Sequence, residues 1–405
     1  MGDERNKKRK RNVVVHQELD TSKPTAHYEP TGKGRSHTLS IAIPGSIIAN
    51  CQKHDAKNNL VGRIARAAAV FCVDEIIVYN DGQFTPPTKQ QYSHNFGNHD
   101  GYTGDTDPDN FLFHVLSYLE CPPNLRQKLF PLHENLRTAG TLPSLDMPHH
   151  SRREFWTQYR EGVTVDEKTA RAMNGQVSEA PRSAKKQKKS GDTNGVAISH
   201  GTAVDVGFPT TVAIPVDVPP NTRVTVKFDS FRAPPNFPFR QRRHGEPADE
   251  SELLTADPVD PAEPRETGGY YWGYTVRQAS SLSAVFTECG FDDGYDVSVG
   301  TSERGVALSS VIPTATASSA PGAKRLNKTF QHALVVFGGV AGLEAAAAAD
   351  PDLVEKGIGK ENVSELFDFW VNACPGQGSR TIRTEEAVWV ALSQMHEWVQ
   401  GAWNE

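Results

Sequence analysis

The sequence predicts an α/β protein whose parallel-sheet core is split by a β-rich insertion. Three observations carry this. Residues 36–80 run strand, helix, strand. Residues 141–269 break into short β-like runs separated by turns. Strands followed by glycine-rich turns return after 270. A strand–helix–strand order implies a parallel pair, because the chain must cross back over the sheet before it pairs again. Short strands at turn spacing suggest instead a small β-barrel or open β-domain.

Leu39, Ile41 and Ile43 alternate with polar or small residues along the first strand, which Pro44-Gly45-Ser46 ends. Leu60, Ile64, Ala68 and Phe71 then recur at helical spacing. Ile76 to Tyr79 form a short buried strand closed by Asn80-Asp81-Gly82. Residues 83–110 read as a loop or insertion, and 111–137 as helical. In the β-rich part, 162–165, 204–208, 210–214 and 223–228 read as strands. Residues 182–189 and 246–266 read as disordered; the latter holds eight acids and four prolines and cannot offset the entropy of ordering. Beyond 270, strands are expected at 271–276, 297–300, 333–337 and 366–372, with a short helix over 280–288. A terminal amphipathic helix follows over 385–399, with Val388, Leu392, Met395 and Val399 on one side. The expected organisation is a basic, disordered tail (1–34), a split core (35–140 and 270–405) and an insertion (141–269) with disordered loops at about 176–198 and 241–267.

Composition narrows the function. The apolar fraction is 37%, the low end for a globular chain, so most but not all of it can bury a core. No stretch approaches the roughly 18 apolar residues of a membrane helix, and no apolar run follows the charged N-terminus, which argues against secretion. Cys51, Cys72, Cys121, Cys289 and Cys374 form an odd, scattered set without C-x-x-C, which fits a reducing compartment and argues against a thiolate metal site. The net charge of −6 hides basic clusters: six bases within residues 1–11, then Lys185 and Lys186, then Arg240, Arg242 and Arg243. The first reads as a nuclear-import tail or a nucleic-acid arm.

Three glycine-rich turns follow three late strands: Gly300 to Gly305, Gly338 to Leu343, and Cys374 to Arg380. Glycine lets backbone approach a ligand closely, and loops at the C-terminal ends of parallel strands are where α/β proteins bind ligands. One shared pocket is expected. The G-x-x-x-x-G-K-[ST] spacing is absent, which argues against a nucleoside triphosphatase, and 335–343 is an imperfect dinucleotide turn.

Asn59-Leu60-Val61-Gly62-Arg63-Ile64-Ala65-Arg66-Ala67-Ala68-Ala69-Val70-Phe71 resembles the first motif of the SpoU branch of SPOUT methyltransferases, with Gly62 and Arg66 at its spacing. TSERG (301–305), VVFGGVAGLE (335–344) and VNACPGQGSRTIRTEEA (371–387) look like one SPOUT family, the archaeal and eukaryotic RNA methyltransferases with an inserted OB-like domain. GRSHTLSIAIPGSIIAN (34–50) and GYYWGYTVRQASSLSAVF (269–286) agree, and YREGVTVD (159–166) matches within the insertion. The resemblance implies a SPOUT methyltransferase domain with a deep C-terminal trefoil knot holding S-adenosyl-L-methionine. Cofactor contacts would come from Thr301, Ser302, Gly305, Gly338, Gly339, Val340, Gly342, Leu343, Asn372, Pro375, Gly376, Gln377, Gly378, Ser379, Thr381 and Ile382. It also implies a dimer, homo- or heteromeric, whose partner completes the pocket and meets an exposed apolar face of the last helix.

Methyl transfer from a sulfonium is an in-line displacement, and alignment alone can contribute roughly 7–11 kcal/mol. No metal is needed. Arg66 is expected to stabilise a developing anion or a phosphate, because guanidinium stays protonated. Glu303 is the second catalytic candidate, as base or as orienter of Arg304. Arg35, Arg63, Arg304, Arg380, Arg383, Lys185 and Lys186 are the expected RNA contacts; Arg380 and Arg383 could instead pair with Glu385 and Glu386. Cys374 reads as packing, and His37 and His54 as structural or exposed. Phe228, Phe231, Phe237 and Phe239 could stack RNA bases or form the insertion's own core. The expected function is S-adenosylmethionine-dependent methylation of RNA, with nuclear or nucleolar ribosomal precursors as substrate. The alternative is a non-catalytic RNA-binding ribosome assembly factor that keeps the knotted fold, with a related subunit as possible partner.

Overall fold

The computed structural model describes residues 33–85, 102–175, 201–240, 253–313 and 324–404. The strands in chain order are β1 (Thr38–Pro44), β2 (Glu75–Tyr79), β3 (Tyr159–Val165), β4 (Thr202–Asp205), β5 (Val212–Ile214), β6 (Arg223–Lys227), β7 (Leu254–Thr255), β8 (Asp257–Val259), β9 (Thr275–Ala279), β10 (Val297–Ala307), β11 (His332–Val336) and β12 (Phe369–Asn372). The main helices are α1 (His54–Val70), α2 (Pro108–Glu120), α3 (Leu282–Thr287), α4 (Gly342–Ala349) and α5 (Thr384–Asn404).

One sheet is parallel throughout, in the order β12-β10-β11-β1-β2-β9. Its central strands β1, β2 and β11 are buried on both faces, which explains their largely apolar runs. Leu39, Ile41, Ile43, Ile76, Val78, Ala333 and Val335 face one core, which α1, α2 and α5 cover. Ala42, Ile77, Tyr79, Leu334 and Val336 face the other, covered by α3 and α4. Each large aliphatic side chain so buried contributes about 2 kcal/mol. α1 presents Leu60, Val61, Ile64, Ala65 and Ala68 inward and leaves Asn59 and Arg63 exposed. It stops at Cys72, whose φ of 56° is left-handed. α2 starts where Asp107 accepts from the Asn110 amide at 3.0 Å, with Pro108 in its first turn.

The second sheet, built between β2 and β9 in sequence, runs β7-β5-β4-β3-β6-β8. Its two edge strands are joined in sequence by Ala256 alone. The sheet must therefore curl until its edges meet around a core of Val204, Phe208, Val212, Ile214, Val226, Phe228 and Ala256.

Several expectations are corrected. Residues 253–266, read as disordered, form β7, β8 and a helical turn at Glu263–Glu266. Each short strand completes a sheet edge, and Glu263 pairs with Lys227 at 2.6 Å. The strand expected at 271–276 starts only at Thr275, because Tyr271 and Tyr274 turn into the core and donate to the Val73 and Leu116 carbonyls. The apolar stripe of α5 is not exposed: Val388, Leu392, Met395 and Val399 are buried in the first core. The N-terminal basic run, Lys185, Lys186, Arg242 and Arg243 lie outside the described residues.

Candidate active site

All six parallel strands end at one edge of the sheet, so their following loops share a face. From β1 the chain moves outward through β2 to β9, then jumps to the other half and ends at β12. The switch point lies between β1 and β11, where an open α/β sheet offers a crevice.

The turn Gly338 to Gly342 sits over that switch point. Phe337 fixes its entry, its amide donating to the Ala42 carbonyl and its own carbonyl accepting from the Tyr79 hydroxyl at 2.8 Å. The Gly342 amide closes the turn on the Gly339 carbonyl at 3.1 Å, and Gly342 takes φ 74°, which favours glycine. Any Cβ on Gly338 would lie 2.8 Å from the Leu343 amide nitrogen. A Cβ on Gly339 would lie 3.0 Å from Asp81 Oδ2 and 3.2 Å from Ser46 Oγ. The Ser46 hydroxyl donates to that same Asp81 oxygen at 2.6 Å. The turn thus rests on a shelf made by the ends of β1 and β2.

The other two turns converge on it. β10 meets Val371 of β12 twice, once at Thr301 and again at Val306, so 302–305 bulge outward. A Cβ on Gly305 would fall 2.3 Å from the Val371 backbone, which only glycine avoids. Thr301 Oγ1 donates to the Val336 carbonyl, Ser302 Oγ to Glu344, and Asn372 Nδ2 to the Glu303 carbonyl. After β12, Thr384 Oγ1 donates to the Gly338 carbonyl at 2.9 Å, so the start of α5 closes the third turn over the second. Between them Gly378, Arg380, Thr381 and Ile382 donate no backbone hydrogen bond within the described chain. Pro375, Gly376, Gly378, Ser379 and Thr381 are exposed, Gln377 and Ile382 half-buried.

A family model described as "Putative RNA methyltransferase" matches residues 38–395. The chain belongs to this RNA methyltransferase family. It is 39% identical over 369 residues to the 28S rRNA (uridine-N(3))-methyltransferase of Homo sapiens, covering 91% of this chain and 80% of that protein. It is 36% identical over 384 residues to the protein of the same name from Drosophila melanogaster, covering 95% of this chain and 67% of that one. A 39% match over 367 residues links it to the Mus musculus protein of that name, covering 90% and 77%.

In this methyltransferase the converged turns hold most residues expected at a donor pocket. Leu343 differs: it is fully buried in the second core and supports the turn from below. Val340 is 81% exposed. Arg304 is exposed and reaches Glu344 at only 3.9 Å; Glu303 is exposed with it. Arg66 is half-buried. Its Nη1 donates to the Ser144 and Leu145 carbonyls at 3.2 and 2.9 Å, tying α1 to the chain that enters the insertion.

Arg35, expected to bind RNA, is instead 2% exposed. Its guanidinium bonds both Asp74 oxygens at 2.8 and 2.6 Å, so a phosphate has no route to it. Arg63, Arg380 and Arg383 are exposed. Arg383 pairs loosely with Glu385 at 3.8 Å, and the Arg63 carbonyl accepts from Trp389 Nε1. Phe228 and Phe239 are buried core, Phe237 packs on it, and Phe231 is 64% exposed. Sequence reasoning missed Ser46, Asp81, Glu344 and Thr384. The first two stood in segments read only as turns, and nothing in one dimension places them under Gly339.

Proposed function

We propose that this chain transfers a methyl group from S-adenosyl-L-methionine to N3 of a uridine in large-subunit ribosomal RNA. The reading rests on the convergence of the three glycine turns at the β1/β11 switch point, and the named activity of the relatives gives the acceptor. The residues fit the donor. Gly376 and Gly378 leave open space where a side chain would stand, and the backbone amides of 378 and 380–382 are free for adenine. Asp81 and Glu344 flank the turn with negative charge suited to a sulfonium and an ammonium. When bound, the cofactor supplies an electrophilic methyl. The chain's residues hold it, orient the base and take its proton.

The same reading places a SPOUT-type knot at the C-terminus and an OB-like barrel in the insertion. Support comes from β10 passing Val371 twice, from the Thr384–Gly338 closure and from the curled second sheet. A homo- or heterodimer completing the pocket, pre-ribosomal RNA as substrate, RNA contacts from Arg63, Arg304, Arg380 and Arg383, and a nucleolar location set by the basic tail belong to the same proposal. The test pairs calorimetry with nucleoside mass spectrometry. Wild type should bind S-adenosylmethionine and leave 3-methyluridine in a large-subunit rRNA fragment. Gly339→Arg should lose donor binding at least tenfold. Tight binding by Gly339→Arg, or a wild type that binds donor yet modifies no RNA, would end this reading; the latter would favour an assembly factor.

A further inference from the structure

A cleft of about 610 Å³ opens at the C-terminal ends of β2 and β9, beside the glycine turns and separate from the residues assigned to the donor. That volume suits a nucleoside. Its lining includes Phe84, Asn80, Gln278, Asn110, Asp107 and Asp109. Gly45-Ser46 and Asp81 connect it to the donor shelf. Ser46 and Asp81 carry Gly339, while Gly45 has no side chain because Asp109 Oδ1 would lie 1.8 Å from its Cβ.

We propose that this cleft receives the extruded target base and that Asp109 is the general base that removes the proton from its N3. The proposal deepens the uridine-N3 reading above and rests on it. Four carboxylates lie at or near the cleft: Asp107 and Asp81 are committed, and Glu288, just past α3, is exposed to solvent. Asp107 caps α2, accepting from the Asn110 amide nitrogen and from Asn110 Nδ2. Asp81 accepts from Ser46 Oγ and from the Gln83 amide. Asp109 accepts only from Asn80 Nδ2, at 2.8 Å on Oδ2, and its Oδ1 takes no donor among the described residues. Uracil N3–H lies between two carbonyls, so its site needs one acceptor flanked by donors. Asn80 and Gln278 each commit one amide hydrogen, to Asp109 and to Asn110 at 2.9 Å, and keep a second for those carbonyls. Phe84 offers a ring for stacking. The acidic surroundings would repel a phosphate but accept an uncharged base. Burial, then Asp107 and Asp81, raises the Asp109 carboxyl to about 6, against the lowering bond from Asn80. A stronger base that is still ionised at neutral pH results.

The step balances. The N3 proton passes to Asp109 Oδ1, and the freed nitrogen pair forms the new N–CH₃ bond. The S–CH₃ bond breaks with its pair left on sulfur, which becomes neutral, and Asp109 returns its proton to solvent.

The experiment compares wild type, Asp109→Asn and Asn80→Ala on a uridine-containing 28S rRNA hairpin. It reads single-turnover rate against pH, hairpin binding to cofactor-free protein, and donor binding by calorimetry. Wild type should show a rate that climbs with pH through about 6, because the ionised carboxylate is the active form. Asp109→Asn should keep hairpin and donor binding within threefold, lose at least 100-fold in rate and lose that acidic limb. Asn80→Ala removes a bond that favours ionisation, so its limb should move to higher pH. An unchanged rate in Asp109→Asn, an equal loss of hairpin binding and rate, or an unmoved limb in Asn80→Ala overturns the proposal. A wild type that never methylates N3 instead fails the parent reading.

Discussion

Glycine at residue 305 is demanded by contact rather than by dihedral angle. A Cβ there would overlap backbone atoms of Val371, and the backbone of a paired strand cannot retreat as a side-chain tip can. Gly305→Ala is therefore expected to destabilise the protein by about 2 kcal/mol and to weaken donor binding by spreading β10 from β12. Chemical denaturation and calorimetry check this; a variant of wild-type stability would mean that the bulge is pliable. Gly376, with open space beside it and φ 75°, should tolerate substitution less for lack of room than for backbone conformation. The motif residues named here were legible because the glycines cluster just after strands in the sequence pattern. Asp109 was not, because only its approach to Gly45 distinguishes it from the capping Asp107 two residues earlier.

At the scale of elements, a charged network ties the insertion to the core. Arg223 of β6 reaches Glu120 at the end of α2 and Glu161 of β3, each at 2.6 Å. Glu120 also contacts His149 Nε2 at 2.9 Å, and Glu161 accepts from Trp272 Nε1 at 2.8 Å. Burial by itself would raise the Glu120 carboxyl, but the Arg223 charge and the His149 bond hold it well below the usual carboxylate range. Arg223→Met leaves two buried carboxylates without their guanidinium and should cost about 3 kcal/mol. A loss under about 1 kcal/mol in urea titration would mean that water, not Arg223, satisfies them. The strands, α1 and α5 could be read from periodicity. The order of 253–266 could not, since eight acids and four prolines over 246–266 look unfoldable until Leu254 meets Val212 and Glu263 meets Lys227.

For the whole molecule, acid should act through histidines. Burial holds His37 and His114 at about 4 and His150 at about 3, with Arg35, His133 and His149 respectively adding to the effect. An unfolded histidine takes up its proton near 6.5, so below that pH the unfolded chain binds protons that the native one refuses. Stability is therefore full above about 6.5 and falls as pH drops toward these native values. Asp109, raised to about 6, works in the opposite direction and offsets part of the loss. The net expectation is roughly 4 kcal/mol less stability at pH 5 than at pH 7.5. Denaturation midpoints at the two pH values check it, and a flat profile would show that these histidines charge without unfolding the chain.

Sequence by itself determined the parallel core, the interruption, the three glycine turns and the methyltransferase resemblance, because periodicity and glycine spacing are local properties that the chain carries everywhere. It also marked Arg35 as a cation without telling that Asp74 would consume it. Only the tertiary structure decided which turns stack over which, which acids are spent on caps and shelves, and which line a cleft. Those outcomes depend on strand order, and strand order is set by burial of both sheet faces at once, a condition that no single stretch of residues encodes.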